Sequence, residues 1–261
     1  MRRLLLVLAL AAGLVCGQAG AGTPCETKKT DVASFRQAMT LAERTLAALE
    51  HSGAQVALIA RVGQDLSKYG LRYSHMAYVW RDHPQGRWLV VHELNQCGTA
   101  QSALFDQGLG NFFLDDMFAY QTRIVVPGAA AQQRIAAMLA SNAPRKLHDA
   151  RYNMLAYPFA TRYQNSNQWL LETYAASMSE LPVDDREQAQ AWLKLAGYEP
   201  ITLDIPAMTR LGARLLRANV AFDDQPFERR MAGRIDTVTV DSVMRFVHQR
   251  DPQAWEMSLR L

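Results

Sequence analysis

The amino-acid sequence predicts an α+β fold in which a small antiparallel sheet packs against helices, followed by a mostly helical C-terminal extension. Three observations predict this fold. Residues 31–51 place apolar side chains at helical spacing, and residues 72–94 form two strand-like runs joined by a short turn. Beyond residue 181, helical patterns alternate with short extended pieces. The chain of 261 residues is long enough to bury one good core.

The N-terminus is typical of a secretory signal peptide. Arg2 and Arg3 precede an apolar run over residues 4–15, and small residues follow as far as Ala21. We expect cleavage near Ala21 and a periplasmic or secreted mature protein. The chain then divides into three predicted parts: a signal peptide over 1–21, a core over 22–180, and a helical extension over 181–261 packed on that core.

The elements follow from local signals. Ser52-Gly53 ends the first helix, and residues 56–60 are a compact apolar run suited to a buried strand. Glycines punctuate a loop-rich stretch before a strand over residues 121–126. Pro127 starts the next helix. The later helices are predicted over residues 166–178, 186–196, 206–218 and 239–250, with an extended piece over 201–205.

Charge and hydropathy limit the partners. The formal net charge is +3, to which Arg2 and Arg3 of the predicted signal contribute two, and the remaining charges are interspersed. Nucleic-acid binders concentrate their basic residues in a patch, so we expect no nucleic-acid partner. The apolar run at residues 4–15 is too short to remain as a spanning helix, and no later stretch reaches about 18 apolar residues, so we expect no stable membrane insertion.

Two cysteines remain after the predicted cleavage, Cys25 and Cys97. An even number of cysteines in an oxidising compartment predicts a disulfide between them. A free nucleophilic Cys97 is the alternative, which is less favoured because an exported thiol without a partner is prone to oxidation.

The hairpin brings a histidine and a carboxylate within reach of each other. If Trp80 pairs with Trp88, the register places His75 opposite Glu93, and directly opposed side chains share a face of the sheet. Glu93 would then orient the imidazole as a general base. A shift of one residue would instead bring His75 opposite His92. A structural histidine–carboxylate pair without catalysis is the alternative interpretation.

Ser166 stands at the predicted start of a helix, after Asn165. A serine there is a candidate nucleophile if a general base lies nearby. The alternative is an ordinary helix cap, in which Asn165 and Gln168 satisfy free backbone N–H groups.

Other chemistries lack their residues. The segment His92-Glu93-Leu94-Asn95-Gln96 has no second histidine for a zinc-protease motif. The sequence contains no Gly-x-Ser-x-Gly elbow, and Gly108-Leu109-Gly110 is too short for a dinucleotide site. We therefore expect neither a metal nor a cofactor.

In their order along the chain, these motifs resemble the circularly permuted branch of the papain-like, NlpC-type amidase superfamily. In that branch a Ser-His strand comes first, a polar or acidic residue ends the next strand, and a Tyr-Asn or Tyr-Asp segment precedes an Asn-Cys at a helix start. The corresponding residues here are Ser74-His75, Glu93, Tyr152-Asn153 and Asn165-Ser166. The whole chain also resembles an uncharacterised family of exported bacterial proteins, domain of unknown function 2145.

The resemblance implies a permuted papain-like core and a set of site residues. Ser166, His75 and Glu93 take the positions of nucleophile, base and orienter. Substrate-binding positions fall on Ser74, Tyr152, Asn153, Asn165 and Asn167. The superfamily uses a cysteine thiolate where this chain has Ser166, and a serine hydroxyl ionises far less readily.

Three functions fit these expectations. The first is hydrolysis of an amide or ester in a cell-wall peptide or an acylated molecule. The second is a degenerate papain-like cleft that binds such ligands without turnover. The third is an envelope interaction protein whose polar cluster is structural.

Overall fold

A computed structural model describes residues 31–115 and 117–261. The predicted signal peptide over 1–21 and Cys25 lie outside the described residues. Cys97 lies in a turn after residue 95. The disulfide between Cys25 and Cys97 therefore stays a prediction.

The described residues form nine α-helices and eight β-strands. The helices are α1 (Val32–Ser52), α2 (Leu109–Leu114), α3 (Ala129–Leu139), α4 (Ala143–Lys146), α5 (Ser166–Met178), α6 (Arg186–Leu195), α7 (Ala207–Leu216), α8 (Phe227–Met231) and α9 (Val240–Arg250). The strands are β1 (Val56–Val62), β2 (His75–Trp80), β3 (Leu89–Asn95), β4 (Ser102–Gly108), β5 (Ala119–Val126), β6 (Ile201–Asp204), β7 (Arg234–Thr237) and β8 (Trp255–Arg260).

Six of these strands form the main sheet, in the order β4-β3-β2-β1-β5-β8, and every neighbouring pair is antiparallel. Strands β6 and β7 form a separate antiparallel pair. The predicted α+β class is confirmed.

The two faces of the main sheet bury different helices, because side chains alternate along each strand. One face carries Leu58, Met76 and Tyr78 and packs against α5 and α9 in one apolar cluster. We call it the α5 face. The other face carries Ile59 and Ala77 and packs against α1 and α2 in a second cluster. We call it the α1 face.

The helix predictions are confirmed with small changes at the ends. Helix α1 is capped by Asp31, whose side chain accepts a hydrogen bond from the Ser34 backbone N–H, and it stops at Gly53 with φ of 68°. That left-handed conformation is one that glycine adopts at little cost. Helix α5 has the predicted bounds. Strand β4 lies in the stretch predicted as a loop, where Gly108 ends the strand and caps α2.

The hairpin register differs by one residue from the one that pairs Trp80 with Trp88, and the shift is in the opposite direction from the alternative that places His75 opposite His92. The observed partners are Trp80 with Leu89, Val79 with Val90 and Tyr78 with Val91. Trp88 takes a left-handed conformation, with φ of 58°, and its indole N–H donates to the Glu50 carboxylate. It therefore ends the turn, and β3 begins one residue later than the register predicted.

The last 81 residues are more closely joined to the core than a helical extension would be. Strand β8 pairs with β5 as the outer strand of the main sheet. Val243, Phe246 and Val247 of α9 belong to the apolar cluster on the α5 face. Residues 181–261 therefore contribute an outer strand of the main sheet as well as helices that pack on it. Within the described residues, no helix combines the length and apolar character needed to cross a membrane.

Candidate functional site

The start of α5 is held by the asparagines on either side of Ser166. The Asn165 side chain accepts from the Gln168 backbone N–H at 2.9 Å and donates to the Thr237 hydroxyl at 3.1 Å. Asn167 accepts from the Met76 backbone N–H at 3.0 Å. These bonds hold the first turn of α5 against β2 and β7, so both asparagines have a structural role.

Two more of the predicted substrate-binding residues bond to the backbone. The Asn153 side chain both donates to and accepts from Ala221, at 3.1 and 3.0 Å. The Ser74 hydroxyl accepts from the Gly63 N–H at 2.9 Å. These side chains therefore tie loops together, whereas Tyr152 lies beside Ser166.

Ser166 is buried at the start of α5, and the Tyr152 side chain lies beside it. Desolvation, with a contribution from the charge of Glu93, raises the pKa of Tyr152 to about 12, and the nearby Ser166 side chain opposes that rise. The phenol therefore keeps its proton at neutral pH. It can donate to Ser166, but it cannot remove the serine proton.

Glu93 also lies on the α5 face of the main sheet. Its side chain is fully buried, and burial raises its pKa to about 8, with a further rise from the charge of Glu172. The nearby Ser102 side chain has the largest opposing effect on this pKa, although neither carboxyl oxygen of Glu93 lies within hydrogen-bonding distance of a partner among the described residues. At neutral pH the carboxyl group is therefore mostly protonated, which leaves it a poor base.

His75 lies on the opposite face of the sheet. Its Nε2 is 2.8 Å from Nδ1 of His92, and its ring packs against Phe112 on the α1 face. Because strand side chains alternate, the one-residue change of register leaves Glu93 on the α5 face while His75 points away. The predicted contact between His75 and Glu93 is therefore absent.

Both of these histidines hold little positive charge. Burial, followed by the charge of Arg61, lowers the pKa of His75 well below its usual value and that of His92 to about 3. Arg61 is buried beside them, contacts the Phe112 ring and pairs with Asp115. The histidine pair is thus a neutral part of the core on the α1 face.

A second serine–histidine contact lies on the α5 face and was not predicted from the sequence. The Ser102 hydroxyl lies 3.1 Å from Nε2 of His148, and desolvation lowers the pKa of this half-buried histidine. A neutral imidazole can accept the serine proton. Ser102 lies in the stretch predicted to be rich in loops, and His148 follows a short helix and belongs to no motif. No local sequence pattern therefore predicts that these two residues are in contact. We refer to Glu93, Ser102, His148, Tyr152 and Ser166 as the Glu93 cluster.

A buried ion pair between Arg186 and Glu172 lies near Glu93. Arg186 donates to both carboxylate oxygens of Glu172, at 2.8 and 3.2 Å. Gln164 and Gln190 donate to the same carboxylate at 2.6 and 2.7 Å. A carboxylate with this many donors is satisfied, which suits a structural role.

A cavity of about 300 Å³ opens beside the cluster on the α5 face. It lies next to the cluster because its wall includes Leu104, the strand partner of Glu93. Its other walls include two indole rings and several polar groups: Trp80, Trp169, His83, Asp106 and Arg145. Such a volume, with aromatic walls and a few polar groups, suits a small ligand. Across residues 31–115 and 117–261, no group of three or more His, Cys, Asp or Glu residues is arranged to hold a metal ion.

Comparison with known families places this geometry in context. The model of a family described as an uncharacterised protein conserved in bacteria, DUF2145, matches residues 48–247. The chain belongs to the DUF2145 family. The match includes all five members of the Glu93 cluster and every residue that lines the cavity, so in this DUF2145 protein the site lies inside the family domain. Neither the curated proteins nor the solved structures contain a match to the chain.

Proposed function

We propose that this protein is an exported envelope protein with a degenerate papain-like core, which binds a short cell-wall peptide without hydrolysing it. One observation carries the proposal: the sheet separates His75 from Ser166. Tyr152, which lies beside Ser166, and Glu93 both hold their protons at neutral pH. A serine hydroxyl without a base is a weak nucleophile.

The order of the elements supports the papain-like part of the proposal. A Ser-His strand, a strand with a buried Glu93, and a helix starting at Ser166 follow one another along the chain, and α5 packs on the sheet formed by both strands. The residues that fill the superfamily's positions are therefore retained as packing and hydrogen-bonding groups around a cleft.

The cavity supports the choice of ligand. Asp106 and Arg145 supply opposite charges to the same cavity, which suits the ammonium and carboxylate groups of a short peptide. Trp80 and Trp169 supply the apolar walls.

Binding is tested by titrating a synthetic cell-wall peptide into the protein in a calorimeter. Asp106→Asn and Arg145→Gln are each expected to weaken binding about tenfold, the cost of one charge-assisted hydrogen bond. Asp204→Asn and Arg44→Gln are matched controls at exposed positions elsewhere and are expected to bind like the wild type. Equal affinity in all five proteins, or no binding at all, would contradict the proposed ligand.

Acyl hydrolysis through Ser102 is the second candidate, and the 3.1 Å contact with His148 favours it. In that reaction the Ser102 oxygen attacks an ester or amide carbonyl and passes its proton to His148. His148 returns the proton to the leaving group, and water then cleaves the acyl-serine ester.

A serine-directed fluorophosphonate probe separates the candidates. The binding proposal predicts no adduct. Labelling of Ser102 that is lost in His148→Ala would establish the second candidate. Labelling of Ser166 that is lost in His75→Ala would instead support hydrolysis through Ser166, His75 and Glu93, as the resemblance implies. Mass mapping of the labelled peptide identifies the serine.

A further inference from the structure

Helix α7 turns its large apolar side chains to the solvent. Met208, Leu211 and Leu215 are 78%, 54% and 63% exposed, and their spacing puts them on one side of the helix. The opposite side of the helix carries Ala213, which packs against the small apolar cluster around β6 and β7. No side chain of α7 is buried. A core helix has the opposite orientation.

Basic residues border this apolar side. Helix α7 contains Arg210 and Arg214 and no acidic residue. Together with Arg230, which follows in α8, these two arginines line an open cavity of about 400 Å³. Asp223 also lines the cavity, but it pairs with Arg162 at 2.8 Å. The surface therefore combines an apolar ridge with guanidinium groups beside it.

We propose that α7 lies in the surface of an anionic phospholipid bilayer. Met208, Leu211 and Leu215 enter the boundary between headgroups and acyl chains, while Arg210, Arg214 and Arg230 contact the lipid phosphates. An amphipathic helix with arginines on its polar side and long apolar residues on the other is the type that binds in this way. At ten residues, α7 lies along the surface and does not cross the bilayer.

Charge favours a bilayer over a second copy of the chain. Two copies of α7 placed face to face would bring arginines of like charge together with no acidic residue of either helix between them. An anionic membrane attracts the same arginines and covers the apolar ridge at once. This proposal does not depend on the ligand of the cavity on the α5 face or on any reaction at the Glu93 cluster.

Vesicle flotation of the full chain tests the proposal. The wild type is expected to float with vesicles of phosphatidylcholine mixed with phosphatidylglycerol, and less with phosphatidylcholine alone. Leu211→Glu with Leu215→Glu is expected to reduce partitioning more than about tenfold, since two apolar side chains lose their burial in lipid. Arg214→Gln is expected to reduce it about fivefold, and only with the anionic vesicles.

Matched variants make the result specific to α7. Leu181→Glu with Leu195→Glu alters two leucines that are 76% and 89% exposed elsewhere, and it is expected to float like the wild type. All these proteins share the same N-terminus, so any binding by residues 4–15 is equal in each. Equal flotation of the two double variants would overturn the proposal. So would failure of the wild type to float, or a dimer by light scattering that Leu211→Glu with Leu215→Glu converts to a monomer.

Discussion

Glu93 is a carboxyl group enclosed between the main sheet and α5, and its environment decides its charge. Burial raises its pKa from the usual value of 4.5 to about 8. The same desolvation affects His75 and His148 in the opposite sense, because it disfavours whichever form is charged. At neutral pH this protein therefore holds a protonated carboxyl group and neutral imidazoles in its interior.

The Glu93 contribution to stability is expected to fall as pH rises through this range. Between pH 4.5 and about 8 the folded state keeps the Glu93 proton and the unfolded state releases it, so this contribution to the free energy of unfolding decreases with pH. Below about pH 6.5 the buried histidines have the opposite effect, because their pKa values are lowered in the folded state. The Glu93 contribution to the free energy of unfolding decreases by about 1.4 kcal/mol per pH unit, and the total decrease is on the order of 5 kcal/mol. Glu93→Gln removes this contribution.

Urea unfolding of both proteins across this pH range measures the difference. The free energy of unfolding of the wild type relative to that of Glu93→Gln is expected to decrease with pH across this range, and Glu93→Gln is expected to exceed the wild type in stability at the alkaline end. Glu180→Gln changes an exposed carboxylate and is expected to follow the wild type. Parallel curves for the wild type and Glu93→Gln would show that Glu93 ionises normally.

At the scale of elements, two helices begin with the same capping bond in different surroundings. Asn165 caps α5 from a buried position and also binds Thr237. Asp185 caps α6 nearer the surface, where it accepts from the Gln188 N–H. Both caps have a local sequence signal, but the second bond of Asn165 depends on a residue 72 positions away.

Asn165→Ala is expected to lower the free energy of unfolding by about 2–3 kcal/mol, because it removes a cap and leaves a buried hydroxyl without its donor. Asp185→Ala is expected to cost about 1 kcal/mol. Asn165→Asp keeps the acceptor and removes the donor, so it separates the two contributions. Urea unfolding measures all three, and a cost of Asn165→Ala no larger than that of Asp185→Ala would contradict the structural role.

Strand β8, the last element of the chain, is an outer strand of the main sheet. It covers the edge of β5 through six residue pairs, and Met257 and Leu259 pack against the apolar cluster on the α1 face. An uncovered strand edge is a template for association with another chain. Strand β8 thus covers the edge of β5 and is itself an outer strand of the main sheet.

Truncation after Gln253 is expected to cost on the order of 1–5 kcal/mol, from the six lost pairs, and to promote association through β5. Urea unfolding and light scattering measure the two effects. A chain shortened only by Leu261 serves as the control and is expected to remain close to the wild type. Unchanged stability and mass after the longer truncation would mean that β8 adds little to the sheet.

The sequence by itself determined the α+β class, the helices with strong caps such as α1 and α5, and the family to which the chain belongs. These properties depend on local periodicity and short motifs. Only the tertiary structure decided which side chains meet. Because Trp88 lies in a left-handed turn, β3 begins one residue later and Glu93 lies on the face opposite His75. Ser102 and His148 come from segments distant in sequence and are in contact only in the folded protein. A strand alternates its side chains every residue, so a one-residue change of register reverses the face, and no local pattern fixes that register.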